Sequence, residues 1–287
     1  MAGFPNVKTF ADAQDTDGKE WLHWFHKTGS PVLTAAGMWG DLSVAAGTPK
    51  YNAYVGVQGE GTPLIGDGNF GHYTGPAAPE KHITEIAIGT PGATFAPASF
   101  ILCDYLYHYP LTDMDSTDVQ PMDNSVAPVP RYADGAGVRA MLVTTTPQSA
   151  TARCLVTYTN AAGVTGCTSS VFTAVSNTGM IQGANQSGAA AGTFAPFVPL
   201  ASGDTGVRAI ESVQNLASAG GFCAVVLVRP LATILLRELD TIAEVNYLIH
   251  PRQLPRVLAG ACLGFVFTSG VAAASSVIRG NIKFTWS

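Results

Sequence analysis

The clearest pattern along the chain is a strict alternation of apolar and polar residues near its end. Ile278, Gly280, Ile282, Phe284 and Trp286 are each separated by one polar or charged residue. Side chains in a strand point to opposite faces in turn, so a period of two places this set on one face. The pattern predicts a strand with one buried face and one face in contact with water.

Similar segments recur through the chain. Glycine and proline occur roughly every ten residues, and the stretches between them are rich in Val, Ile, Thr, Tyr and Phe, which is typical of many short antiparallel strands. The run 224–228 is apolar throughout and predicts a central strand covered on both faces. Further strands are predicted at 51–58, 83–88, 100–107, 138–145, 152–158, 169–175, 207–213, 224–229 and 262–268. We therefore expect a mainly β fold, an antiparallel two-sheet β-sandwich of jelly-roll type.

One short helix is predicted near the N-terminus. Asp17 is placed to cap it, with a glutamate three residues later, and Gly29 is placed to end it. Three aromatic residues then share one face at i, i+3 and i+4, namely Trp21, Trp24 and Phe25. We expect this face to pack on the same chain or on a neighbouring subunit.

The predicted organisation is an N-terminal arm and one β domain. Residues 1–30 form the arm with its amphipathic helix, and residues 31–287 form the sandwich body. The segments 59–79 and 177–192 are rich in small and polar residues with little periodicity. They predict long exposed loops, which often carry contacts to partners.

The composition favours a structural protein over a catalyst. Asp, Glu, Lys and Arg make up only 12% of the 287 residues, against about 25% in an average globular protein. No nucleophile-elbow or other catalytic signature occurs, so we expect a protein that is not an enzyme and binds no cofactor. The surface implied by such a composition suits lasting contact with other proteins.

Charge and hydropathy narrow the expected partners and location. The net charge is −5 and the fifteen basic residues are scattered, so we expect no direct contact with nucleic acid. The most apolar stretch, 222–236, contains Arg229 and Pro230 and is shorter than a membrane span, so we expect no membrane contact. No secretory signal is visible at the N-terminus, and we expect the protein to stay in the cytosol until assembly.

Two groups of residues are candidate sites. Asp113, Asp115 and Asp118 lie in one acidic stretch that is either a solvated loop or a calcium site, since calcium prefers several carboxylates. An aromatic stretch predicts alternate rings on one strand face, either as an ordinary half-buried face or as a platform for sugars or an interface with protein. Its residues are Tyr105, Tyr107 and Tyr109.

The five cysteines form no CxxC pair and no zinc-type spacing. Four of them lie in apolar or strand-like runs, which favours buried thiols. Cys154 and Cys167 flank a predicted turn, so a disulfide across a hairpin is the alternative for that pair.

The C-terminal two-thirds of the chain resembles virion structural proteins of tailed bacteriophages. The resemblance rests on stretches such as 206–209, 226–233, 254–256, 260–263 and 278–286, with a contribution from 110–143. Within that class it implies a head cement or decoration protein more than a major capsid protein, because no long charged spine helix is visible. The implied partners are the major capsid protein and further copies of this chain, as a trimer. The implied location is the head surface of the virion, after assembly in the host cytoplasm.

Two other functions remain open. One is a tail or baseplate component of the same kind of virion. The other is an adhesin-like, carbohydrate-binding β-sandwich, with the three tyrosines as stacking residues.

Overall fold

The computed structural model describes residues 6–33, 36–66, 80–91, 95–150, 153–173, 178–181, 185–186, 195–249 and 254–286. Within these ranges the fold has one α-helix, α1 (Val7–Asp15), and a single 3₁₀ turn, Leu42–Val44. The strands, in chain order, are β1 (Glu20–Lys27), β2 (Trp39–Asp41), β3 (Gly47–Thr48), β4 (Thr62–Pro63), β5 (Glu80–Gly89), β6 (Ala98–Asp113), β7 (Val119–Pro121), β8 (Arg139–Thr146), β9 (Arg153–Asn160), β10 (Cys167–Thr168), β11 (Phe172–Thr173), β12 (Met180–Ile181), β13 (Asn185–Gln186), β14 (Val207–Asn215), β15 (Phe222–Leu236), β16 (Ile242–Asn246), β17 (Arg256–Leu258), β18 (Leu263–Ser269) and β19 (Ile278–Thr285).

The strands form three antiparallel sheets. Sheet A has the order β16-β5-β19-β1-β3, with β17 also paired to β5. Sheet B has the order β15-β8-β12-β2-β18-β6-β4, and β15 also pairs with β6, so six of its strands form a closed ring. Sheet C has the order β13-β11-β9-β14-β7, with β10 paired to β9.

Two long strands connect the three sheets. β6 has 16 residues and β15 has 15, and they pair with each other from end to end. One half of this pair contributes to the core against sheet A through residues such as Phe100 and Ile234. The other half contributes to the core against sheet C through residues such as Tyr109 and Leu227. A third core lies inside the ring.

The prediction of a mainly β, antiparallel, sandwich-like fold is confirmed, with three sheets in place of two. The central strand predicted at 224–228 is also confirmed, since β15 lies between β6 and β8 and is buried from Cys223 to Val228. The strand predicted at the end of the chain is β19, which lies between β1 and β5 in sheet A.

The predicted helix from Asp17 to Gly29 is wrong. Those residues include β1, which pairs with β19 along its whole length, so eight residues of the predicted arm belong to sheet A. The helix lies earlier, at Val7–Asp15, where the Asn6 side chain accepts a hydrogen bond of 2.9 Å from the Thr9 amide. Threonine at this third helical position is not the Glu or Gln that the capping-box rule looks for.

Four other predicted strands, 138–145, 152–158, 207–213 and 262–268, agree with β8, β9, β14 and β18 within two residues at either end, whereas β5, β6 and β15 extend three to seven residues beyond the segments predicted at 83–88, 100–107 and 224–229. The strand at 51–58 is wrong, because this segment has no regular strand and Tyr54 has a positive φ of 47°. The segment 169–175 contains only the two-residue β11 among its described residues. Of the predicted loops, residues 67–79, 177, 182–184 and 187–192 lie outside the described residues.

Cys154 and Cys167 do not face each other. Cys154 pairs with Phe172 and Asn215, whereas Cys167 pairs with Tyr158, four residues further along β9. Both are thiols in this structure. Within the described part of the chain, no helix has the length and apolar character needed to cross a membrane.

Candidate interaction surface

The outer face of sheet A carries an exposed groove. The pairing registers place side chains of four neighbouring strands in two parallel rows on this face, Trp24–Asn281–Ala87–Glu244 and His26–Arg279–Gly89–Ile242. The groove has a volume of about 700 Å³. Its two sides lie on β1 and β16, which are three strand spacings apart. At about 4.8 Å per spacing, the two sides are about 14 Å apart.

Small residues form the floor of the groove and large apolar residues form its walls. Ala87 and Gly89 are buried in the floor. Trp24 rises from β1 with 64% of its surface exposed, and Ile242 rises from β16 with 74% exposed. The inner face of the same sheet is packed on the core through residues such as Phe25 and Ile282. The sheet that forms the groove is therefore held in place by the core.

Two charged residues also line the groove. Arg279 lies in the groove between the two walls, and Asp240 lines it from the turn before β16. Asp240 has a positive φ of 56°, which a short polar side chain tolerates well. The groove combines an exposed indole, an isoleucine, a guanidinium and a carboxylate. This set can hold an apolar group of a partner and bind its polar neighbours by hydrogen bonds.

The three aromatic residues predicted to share one face are divided between two faces. Phe25 points into the core and is 3% exposed. Trp21 lies on the same inner side, half-buried, with its ring 5.4 Å from that of Phe284. Of the three, only Trp24 is exposed on the outer face, because the segment is a strand and its side chains alternate.

The tyrosines of β6 are buried, and Tyr105 does not share a face with Tyr107 and Tyr109. The register between β6 and β15 shifts between Tyr105 and Tyr107, and such a bulge reverses the alternation of side chains. Tyr105 therefore points into the ring, while Tyr107 and Tyr109 pack between the ring and sheet C. All three are at most 1% exposed, so the predicted platform of stacked rings is not available to a sugar.

The three aspartates of the acidic stretch have separate surroundings in the structure. Asp113 accepts a hydrogen bond from the Asp115 amide, and Asp115 accepts one from the Ser218 hydroxyl. Asp118 is exposed at the next turn, where its amide donates to the Ser116 hydroxyl. Among the residues that the structure describes, no group of three His, Cys, Asp or Glu side chains is placed to hold a metal ion.

A buried polar cluster lies inside the ring. Asp41 is fully buried and accepts hydrogen bonds from the Tyr54 hydroxyl at 2.5 Å, the Tyr105 hydroxyl at 2.7 Å and the Ser43 amide at 2.8 Å. Burial raises the pKa of Asp41, and these donors oppose that effect. Each polar atom here has partners, so the cluster fixes the interior of the ring.

Lys27 extends from β1 toward this cluster. Its amine donates hydrogen bonds to the carbonyls of Ala45 at 3.0 Å and Pro49 at 2.7 Å. Burial lowers the pKa of Lys27 to about 8, and the nearby charge of Asp41 opposes that effect. The adjoining cavity of about 40 Å³ has room for a water molecule or two but not for an organic substrate.

Sequence reasoning missed Ile242, Arg279 and Asp240. Arg279 was assigned correctly to the wet face of the last strand, but its neighbours across the sheet come from segments more than 35 residues away. β16 has apolar residues at alternate positions, Ala243 and Val245, which a period of two detects. Nothing in the sequence indicates that the side chain of Ile242 is exposed in a groove.

No protein-family model matches the chain, and no curated protein matches it. Three solved structures of VP2, all from infectious bursal disease virus, share weak similarity with it. A mutant VP2 in T=1 particles is 11% identical, with a TM-score of 0.15 over 93% of this chain and 78% of that chain. A VP2 subviral particle is 8% identical, with a TM-score of 0.15 over 93% and 81%. The virus's Gt strain structure is 12% identical, with a TM-score of 0.15 over 93% and 81%. TM-scores of 0.15 support no conclusion about the fold or the role of this chain.

Proposed function

We propose that this chain is a non-enzymatic structural protein of a virion that binds the capsid exterior and stabilises the head. The groove on the outer face of sheet A is its contact surface in this proposal. Its partner is the major capsid protein, and several copies of the chain, arranged as a trimer, bind together on the head surface after assembly in the host cytoplasm.

The observation that carries the proposal is the pair of exposed apolar walls, Trp24 and Ile242. Exposed tryptophan is costly in water, and tryptophan and arginine are both enriched among the residues that dominate binding between proteins. The backing sheet is packed on the core, so a partner would meet a preformed surface. The low content of charged residues, 12%, supports extensive contact with other subunits.

Many copies on one shell add to the effect of each contact. When a bound oligomer engages two or more capsid subunits, later contacts form at a high effective concentration. A weak individual groove is therefore sufficient for lasting attachment. A tail or baseplate component would use the same kind of contact, and localisation on particles distinguishes the two.

Capsids that lack this protein provide the direct test. Purified chain is mixed with such heads and sedimented, and the bound fraction is compared for the unmodified chain, Trp24→Ala and Val164→Ala. Val164 is an exposed apolar residue in the turn after β9 and serves as the matched control. We expect Trp24→Ala to weaken binding about tenfold or more, as truncation of a central aromatic residue does.

The controls separate a lost contact from a lost fold. Each variant is first compared by circular dichroism and thermal unfolding, since Trp24 is exposed and its removal leaves the core intact. Equal binding by all three proteins would rule out the groove as the contact surface. Absence of binding by the unmodified chain to heads at any assembly stage would contradict the head-cement function itself.

Carbohydrate binding is a second candidate, now with different residues. Trp24 offers an exposed ring, and Asp240, Asn281 and Arg279 line the same groove. Sugars stack on aromatic rings and take hydrogen bonds from such side chains. Retention of the chain on a glycan array, lost in Trp24→Ala and Asp240→Ala but not in Val164→Ala, would favour this candidate over capsid binding.

A further inference from the structure

Two cysteines lie on facing sheets in one buried layer. Cys223 belongs to β15 of sheet B and points toward sheet C, as Val225 does. Cys154 belongs to β9 of sheet C and points toward the ring, as Val156 does. Both cysteines are completely buried in the core between the two sheets. They are therefore placed on opposite sides of the same interface.

The chain crosses between the two sheets beside them. Cys154 pairs with Asn215, the last residue of β14, and its sulfur lies 3.3 Å from the Asn215 Oδ1. The next six residues, 216–221, lead directly to β15 of sheet B. Asn215 also donates from Nδ2 to the carbonyl of Asp113 at 2.9 Å, and Asp113 is the register partner of Phe222. These bonds hold the ends of β9 and β15 close together.

Cys223 also contacts two polar side chains in this layer. Its Sγ lies 3.5 Å from the Gln148 Nε2 and 4.0 Å from the Thr144 Oγ1. Burial raises the pKa of Cys223 well above its usual range, and the nearby thiol of Cys154 raises it further. Of the other three cysteines, Cys103 lies in the core inside the ring and Cys262 packs against that core. Cys167, on β10, is half-buried against the same core as Cys154 and Cys223, but it pairs with Tyr158, four residues along β9 from Cys154.

We propose that Cys154 and Cys223 are a disulfide-forming pair that joins sheets B and C when the chain folds in oxidising surroundings. A small-molecule disulfide such as oxidised glutathione is the oxidant. One cysteine thiolate attacks it to give a mixed disulfide and releases one glutathione thiolate. The second cysteine thiolate then attacks the protein sulfur of the mixed disulfide and releases the other glutathione. Two thiols of the chain are oxidised and one glutathione disulfide is reduced to two thiols.

The reaction requires opening of the core or folding from the unfolded chain. The thiolate is the nucleophile, and both thiols are buried with raised pKa values, so the folded, reduced protein reacts slowly. Once formed, the bond closes a long loop between β9 and β15. Such a loop restricts the unfolded chain and stabilises the folded state.

The test uses the whole chain. The protein is unfolded in guanidinium under reducing conditions and refolded either with dithiothreitol or with a mixture of reduced and oxidised glutathione. Intact mass, thiol titration and non-reducing peptide mapping then locate any bond. We expect the second sample to lose two hydrogen atoms, to keep three of its five thiols and to yield a linked peptide containing Cys154 and Cys223. We also expect its Tm to rise by on the order of 5 to 10 °C.

Matched variants identify the pair. Cys154→Ser and Cys223→Ser are each expected to lose the linked peptide and the rise in Tm, whereas Cys103→Ala is expected to keep both. If one serine variant fails to refold, the other variant and the peptide map of the unmodified chain still decide. Five titratable thiols after oxidative refolding, or a bond between other cysteines such as Cys103 and Cys262, would overturn the proposal. The outcome concerns the isolated chain and does not depend on capsid binding.

Discussion

Lys27 illustrates how one buried residue acquires a pH-dependent effect on stability. Its folded pKa is lowered to about 8 by burial, while in the unfolded chain it titrates near the ordinary lysine value of about 10.4. Between these two values the unfolded chain binds more protons than the folded one. Stability contributed by this group therefore rises as the pH rises from 8 to 10, and the burial cost is fully present below pH 8.

Lys27→Met is expected to remove this effect. The free energy of unfolding, measured by urea denaturation, is compared between the unmodified protein and the variant at pH 7 and pH 10. We expect the unmodified protein to gain ~1 to 3 kcal/mol relative to the variant over this interval. Lys50→Met, at an exposed neighbouring position, serves as the control and is expected to show no such gain. If the unmodified protein and Lys27→Met differed in free energy of unfolding by the same amount at pH 7 and at pH 10, burial of the amine would be contradicted.

The sequence alone does not indicate that Lys27 is buried. Lysine is almost never fully buried, so nothing in the sequence distinguishes Lys27 from the exposed Lys50. Its burial follows from its position at the inward-facing end of β1, opposite Gly47 of β3. The same holds for Asp41, whose hydroxyl partners come from segments up to 64 residues away.

At the scale of elements, β1 shows why an aromatic pattern can mislead. Trp21, Trp24 and Phe25 match the spacing of a helix face, and the expected caps were present. The actual alternation places Trp21, His23, Phe25 and Lys27 inward, and two of these are polar types that a pattern of hydrophobic residues ignores. The pattern of β19 was unambiguous because its inward positions are apolar or glycine. The sequence therefore indicated the wrong period for β1, because half of its inward positions are polar.

Sheet A requires glycine at position 280. It lies in β19 opposite Phe25 of β1 and Ile88 of β5. An added Cβ would collide with the carbonyl oxygen of Ala87 and would lie 2.8 Å from the Phe25 ring. Strand propensity alone favours valine over glycine at a central position, but the packing of these neighbours forbids it.

Gly280→Val is therefore expected to lower the free energy of unfolding by about 2 to 3 kcal/mol, as overpacking of a well-filled site does. Arg279→Val, on the exposed face of the same strand, is the matched control and is expected to change it by less than about 0.5 kcal/mol. Chemical denaturation followed by circular dichroism measures both. A stable Gly280→Val variant would show that the sheet can widen at this point.

At the scale of the whole molecule, β6 and β15 link the cores on both sides of the ring. Mainly β character and antiparallel pairing could be predicted from the sequence, since they follow from short apolar periods. The third sheet could not, because it depends on the bulges that turn one long pair of strands toward two different cores. The groove of sheet A depends on the same long-range arrangement.

We expect these shared strands to make unfolding cooperative across both cores. Three of the four tryptophans, at positions 21, 24 and 286, lie in sheet A or directly after its last strand, and Trp39 lies in β2 of sheet B against the core inside the ring. Tryptophan fluorescence therefore reports on sheet A and the ring, and not on sheet C. Leu227→Ala removes a side chain from the core against sheet C and is expected to cost 2 to 5 kcal/mol, typical of such truncations. Fluorescence and circular dichroism are expected to shift together, because a cooperative transition has coincident probes.

Leu102→Ala, in the core against sheet A, is the reciprocal variant. It is expected to shift both signals in the same way as Leu227→Ala. A change in circular dichroism without a change in tryptophan fluorescence, in either variant, would show that the two sides unfold independently.

The position of β19 between β5 and β1 also sets an order of events during synthesis. β1 is translated before every other strand described here, and its main partner in sheet A follows more than 250 residues later. At ribosomal rates of about 5 to 20 residues per second, β1 waits more than ten seconds for that partner. Pairings this distant in sequence also form slowly. We therefore expect the aromatic residues of β1 to lack their partner strand during that interval, and sheet A, with the groove it carries, to be completed only near the end of folding.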